Sequence, residues 1–145
     1  TRTAPSFMLA DMCHRNMAFT LFHAYHLPHV TIDSVMVTSL DNGLSQIDVL
    51  VLNDRMIPTR SDHEINHKFT RPDWLMLKNV DVVAGFIVTD PLLNQTVEQK
   101  YNPDRLNIDA VPPMGTVRVR WLVAGRPRGE IVFDSLKGGI VKQEL

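Results

Sequence analysis

Thr116-Val117-Arg118-Val119-Arg120-Trp121-Leu122-Val123-Ala124 is the stretch that decides the fold. Val117, Val119, Trp121 and Val123 point one way and Arg118 and Arg120 the other, a period of two that belongs to a strand with one buried and one wet side. Working outward, the same short β-branched runs recur at 30–38, 46–52, 80–89, 106–111, 130–134 and 140–145. Turn chemistry separates them: Asp41-Asn42-Gly43, Gly125-Arg126-Pro127-Arg128-Gly129 and Lys137-Gly138-Gly139, with glycine available wherever φ must be positive. Hairpins are expected over 30–52 and 116–145. About seven strands, with no helical segment long enough for a parallel crossover, predict two packed antiparallel sheets, an Ig-like or prealbumin-like β-sandwich.

The first 29 residues read differently. From Ser6 to Leu27 there is neither Gly nor Pro, and Leu9, Cys13, Met17, Leu21 and Tyr25 recur every fourth residue. That spacing predicts one long helix, with Ser6 as N-cap and Pro28 ending it. Met8, Met12, Phe19 and Phe22 fall outside the stripe, so the apolar surface is wider than one neighbour needs. The chain therefore divides into a helix at 1–29 and a sandwich at 30–145, and the fold class is mainly β with one leading helix. Because the sequence opens on Thr1 rather than Met, upstream residues are expected to have been removed.

Composition narrows the classes of function. The 145 residues are 44% apolar and 21% charged, ordinary for a globular chain and wrong for disorder. Fifteen basic against sixteen acidic residues give a net charge of -1, which offers no field for nucleic acid or an anionic membrane. No apolar run nears the ~20 residues of a bilayer span. Cys13 is the lone cysteine, read as a small buried apolar side chain, and cannot form an internal disulfide.

The sharpest chemical motif is His63-Glu64-Ile65-Asn66-His67. On a helix, histidines at i and i+4 share a face and can hold Zn²⁺, with the glutamate as general base. Here the string lies between Pro58 and Pro72, with room for a short surface helix or loop, no Gly-x-x-His extension and no nearby third ligand. It reads as polar residues on a connector that imitate a metal site. His14, His23, His26 and His29 crowd the end of the first helix, where partial positive charge is favourable. Trp121 and Phe133 are expected in the core, and Arg118, Arg120, Arg126 and Arg128 on a solvated face. No phosphate loop, nucleophile elbow or Cys-x-x-Cys pair is present.

A series of small landmarks carries a resemblance. Arg15-Asn16-Met17-Ala18-Phe19, leading through His23-Ala24 to Leu27-Pro28, looks like the last helix and exit of the catalytic domain in carboxypeptidase A-like zinc metallocarboxypeptidases that carry a C-terminal sandwich. Val49-Leu50-Val51-Leu52-Asn53 with Pro58-Thr59, then Pro72-Asp73 and Leu77, resembles the strand, the N-x-G-x-x-P-T bend and the P-D-x-x-x-L return of those sandwiches. Trp121-Leu122-Val123-Ala124-Gly125 and Ser135-Leu136-Lys137-Gly138-Gly139 resemble their closing hairpin. Arg55 stands where the family often has Gly.

The resemblance implies a non-catalytic accessory domain whose partner is its own upstream catalytic domain, with zinc held there and peptide substrate met only indirectly. It also implies an extracytoplasmic location. The family's zinc pair is His-x-x-Glu and its carboxylate grip Asn-Arg; no histidine here has Glu three residues on, and no Asn-Arg dipeptide occurs. No catalytic position carries over. Met8, Met12, Phe19 and Phe22 are the expected domain interface. The rival readings are a carbohydrate- or peptide-binding sandwich and a minimal metalloprotease using His63, Glu64 and His67.

Overall fold

The computed structural model describes residues 5–145. A 3₁₀ turn at Ser6–Met8 runs into helix α1 (Leu9–Tyr25), and the rest is two antiparallel sheets. The strands are β1 (Val30–Ser39), β2 (Leu44–Asn53), β3 (Asp73–Lys78), β4 (Val82–Asp90), β5 (Gln95–Glu98), β6 (Arg105–Ile108), β7 (Gly115–Ala124), β8 (Glu130–Ser135) and β9 (Gly139–Glu144). A short helix, α2 (Asp62–His67), sits between β2 and β3. One sheet has the order β1-β2-β7-β4-β5, the other β6-β3-β8-β9.

The alternation read from 116–124 places the core. Val119, Trp121 and Val123 of β7 lie beside Ile47, Val49 and Val51 of β2, and across from Leu75, Leu106, Ile131 and Phe133 of the second sheet. All of these are buried. Each such side chain removed from water contributes roughly 1.5–3 kcal/mol before entropy is counted. Trp121 stands at the centre, donating its Nε1–H to the Pro103 carbonyl at 2.7 Å. Gly85 of β4 pairs with Trp121, and a Cβ there would lie 2.6 Å from the Pro103 oxygen, so only glycine lets the two approach.

Four expectations need correction. The described residues form nine strands where about seven were expected: β3 lacks β-branched residues and β5 is exposed along its whole length, so neither carries the usual signal. The stretch 116–145 is not one hairpin, because β7 pairs with β2 and β4 while β8 pairs with β3 and β9; the segment 125–129 crosses between sheets. Ser6 does not cap the helix, since it lies inside the 3₁₀ turn that Pro5 precedes, with no side-chain cap bond. Cys13 is exposed, because α1 does not lie against the sandwich.

In β1, which has a sheet neighbour on one side only, the register shifts between Ile32 and Ser34, leaving exposed Asp33 as a bulge.

Candidate functional site

Two places were marked by the sequence, the His63–His67 string and the leading helix. The string forms α2, six residues long. His63 and His67 lie side by side, ring centroids 4.4 Å apart, with Phe69 5.3 Å from His63. Glu64, however, is occupied. Its Oε2 accepts from the Ser61 N–H at 2.8 Å and the Ser61 hydroxyl at 2.8 Å, and Ser61 Oγ accepts the Glu64 N–H in return, a capping box. The Lys137 ammonium closes on the same oxygen at 2.5 Å. Among the described residues no group of three or more His, Cys, Asp or Glu is placed to hold a metal ion. The carboxylate needed as a general base is thus committed to holding α2 on the β8–β9 turn.

The Lys137 bond first, and the two Ser61 bonds after it, pull the Glu64 carboxyl down to about 2 from an ordinary 4.5. Folding favours the ionised form, so this contribution is complete above pH 4.5 and is lost as pH falls towards about 2. Glu64→Gln is therefore expected to lower the melting temperature slightly at pH 7, the two proteins converging near pH 2. Thermal unfolding across that range checks it; a gap that persists at the acid end would show that the charge is not what matters.

Asp73 is the other carboxylate of note. It is fully buried at the start of β3, and neither oxygen meets a donor in good hydrogen-bonding geometry. Burial raises its pKa above the usual carboxylate value, against the Thr59 and Ser135 hydroxyls and the Arg60 and Arg71 guanidiniums, which favour the charge. Its contribution to stability accordingly declines as pH rises from the unfolded value near 3.8. The arginines around it are engaged: Arg60 donates to Thr70 and the Asp109 carbonyl, Arg71 to Asp134 at 2.7 Å while lying over the Trp74 ring. The recess beside them is lined by Arg60, Phe69, Thr70 and Arg71, among others. Trp121 and Phe133 are fully buried, as expected. Of the expected outer arginines, Arg118, Arg126 and Arg128 are exposed, but Arg120 is held by Asp48 at 2.7 Å and Asn94 at 2.8 Å.

Helix α1 is the unusual element. None of its residues is buried. Leu9, Cys13, Met17, Leu21 and Tyr25 sweep one side, and Met12, Phe19 and Phe22 occupy the other, so large apolar side chains lie on several sides. A helix apolar all round is one that proteins bury on several sides. Its internal support is slight: the exposed Asp11–Arg15 pair, 3.0 Å apart, adds only tenths of a kcal/mol. Met8, Met12, Phe19 and Phe22 are all exposed.

The exit of this helix is built with care. Asn53, fully buried at the end of β2, accepts at Oδ1 from the His29 N–H (3.2 Å) and the Arg55 N–H (3.2 Å). Its Nδ2 donates to the carbonyls of Ile57 (2.9 Å) and Pro112 (3.3 Å). The Ile57 N–H reaches the His26 carbonyl at 3.2 Å, and the His29 imidazole meets Asp54 at 3.0 Å. Arg55 lays its guanidinium over the Tyr25 ring, 3.8 Å from the centroid. Residues 26–29 are thereby tied to residues 53–57, and the helix leaves the sandwich in a fixed direction. Nothing in the sequence marks Asn53 and Arg55 for this role beyond an Asn that ends a strand-like run ahead of Pro58-Thr59.

The family model for a domain of unknown function, DUF8731, matches residues 29–145. The chain belongs to the DUF8731 family. The DUF8731 match covers all nine strands and leaves α1 outside. A solved structure of an uncharacterized β-sandwich protein from Clostridium difficile 630 is 11% identical, aligned over 82% of this chain and 85% of that one with a TM-score of 0.31. No curated protein matches the sequence. No helix among the described residues is long and apolar enough to cross a membrane.

Proposed function

We propose that this DUF8731 chain is the non-catalytic accessory sandwich, with its preceding helix, of a carboxypeptidase A-like zinc metallocarboxypeptidase. Its task is to pack against the catalytic domain, support it and shape access of peptide substrates. The observation that carries this reading is α1: seventeen residues with large apolar side chains on several sides, none buried. Most helical stability in proteins comes from packing, so such a helix belongs inside another folded unit. The motifs at Asn53, Pro58-Thr59, Pro72-Asp73 and Trp121 add the family to that inference, and the start of the DUF8731 match at His29 is in keeping with a boundary there.

Among the described residues, the His63–His67 string does not fit zinc. Glu64 is locked to Ser61 and Lys137, and His63 and His67 have no third ligand among the described residues. No step of peptide hydrolysis is assigned to them. The metal belongs, on this reading, to the catalytic domain.

The test compares residues 1–145 with the whole polypeptide encoded by the gene. The α1 amides are expected to exchange roughly a hundredfold more slowly in the whole polypeptide, where the helix is enclosed. Zinc-dependent release of C-terminal residues from peptides is expected of the whole polypeptide and not of residues 1–145. Equal exchange of α1 in the two, or hydrolysis by residues 1–145 alone, would end the proposal.

A further inference from the structure

The capping box takes Glu64 out of the His63–His67 string and leaves its two imidazoles. We propose that His63 and His67 form a surface site that chelates a tetragonal divalent ion, copper(II) foremost, through two neighbouring imidazole nitrogens. A catalytic zinc centre takes three protein ligands, which this string does not supply. A tetragonal ion that keeps water in its remaining positions needs only the pair. The inference concerns a different metal from that of the proposed parent enzyme and stands apart from that reading.

Three observations carry it. The first is spacing. The two ring centroids are 4.4 Å apart and the rings are inclined at 62°, not stacked. With metal–nitrogen bonds of about 2.0–2.1 Å, two imidazoles on one ion have centroids about 4.5 Å apart at a right angle and about 5.2 Å apart at the tetrahedral angle. The observed separation is the right-angle one, which belongs to adjacent positions in the square or tetragonal sphere of copper(II) and nickel(II). Imidazole suits both ions, and copper(II) binds the more tightly. Rotation about χ2 of histidine is soft, so each nitrogen turns towards a shared ion at little cost.

The second is that other groups hold the pair in place. A helix of six residues has little stability of its own. The Ser61–Glu64 box fixes the start of α2, the Lys137 ammonium ties it to the β8–β9 turn, and Lys68 closes it in left-handed backbone, φ +53°, with its N–H on the Ile65 carbonyl. Phe69 then folds back on both rings, 5.3 Å from His63 and 6.4 Å from His67, lying parallel to the second. Binding an ion therefore orders little that is not already ordered.

The third is availability. Both histidines are exposed. His23 and His29 engage their Nδ1 atoms, the one with the Phe19 carbonyl at 3.2 Å and the other with Asp54 at 3.0 Å. Among the described residues the rings of His63 and His67 meet only each other and Phe69.

Copper(II) titration followed by NMR of the histidine rings tests the site. The Cys13→Ser variant of residues 1–145 is the starting protein, because the exposed thiol would reduce the metal. Substoichiometric copper(II), in a weakly coordinating buffer near neutral pH, is expected to broaden the ring signals of His63 and His67 before those of the other four of the six histidines. His63→Ala and His67→Ala are each expected to weaken binding at the remaining ring at least roughly tenfold, since the second ligand no longer acts at high effective concentration. Both positions are exposed, and unchanged melting temperatures without metal confirm that the variants keep the fold. Broadening of all six histidines together, or an affinity that survives either substitution, would mean an adventitious ion only and would overturn the proposal.

Discussion

Asn53→Ala is expected to destabilise the chain by about 3 kcal/mol, lowering its melting temperature by roughly 10 °C. Four hydrogen bonds end on this one buried side chain, joining the helix exit at His29, the bend at Arg55 and Ile57 and the distant turn at Pro112. Truncation removes the donor and acceptor together and strands their partners, and an orphaned buried polar group costs about 1–3 kcal/mol. Some of those partners can reach water near the surface, which keeps the expected total below the simple sum. Asn53→Asp retains the acceptor but sets an ionised oxygen against two carbonyls, and is expected to cost as much. Urea unfolding gives the magnitude, and amide exchange at His29 and Arg55 gives the location. A loss below about 1 kcal/mol would mean that the exit is held by the backbone bonds alone.

Trp121→Ala is the larger change, expected at about 4 kcal/mol, within the range for a buried Trp cut to Ala. Trp121 is wholly buried between the sheets, in register with Gly85 and Ile47, and its indole N–H is bound to Pro103. Its removal opens a cavity and also leaves the Pro103 carbonyl without its donor. Trp121→Phe separates the two effects, filling most of the space while losing the bond, and should fall near 2 kcal/mol. Denaturant midpoints with an unchanged slope are the measure. An alanine variant within about 1 kcal/mol of the native protein would contradict the central place given to this residue.

The sandwich was legible wherever a strand has one wet side and β-branched residues on the other, as at 116–124 and 46–52. It was not legible at β3, whose Leu75, Met76 and Leu77 suit helix as well as strand, nor at β5, which has no buried face to leave a pattern. The turn at 125–129 reads as a hairpin locally; whether the next strand joins the same sheet depends on partners far away in sequence.

The same division holds for the site. Ser61-x-x-Glu64 is a capping box written in adjacent residues, and it accounts for Glu64 more simply than a metal does. The excess apolar surface of the helix was readable from its spacing. The clamp at Asn53 was not, because two of its bonds span 24 and 59 residues and exist only once β2 and β7 are in place.

The bulge at Asp33 bears on how copies of this protein behave when crowded. A long, regular strand at the rim of a sheet is an invitation for a second molecule to add its own strand and begin a fibre. By throwing one carboxylate outward and breaking the ladder between Ile32 and Ser34, β1 spoils that template midway. The sandwich can keep this rim bare at high concentration without zipping to its neighbours.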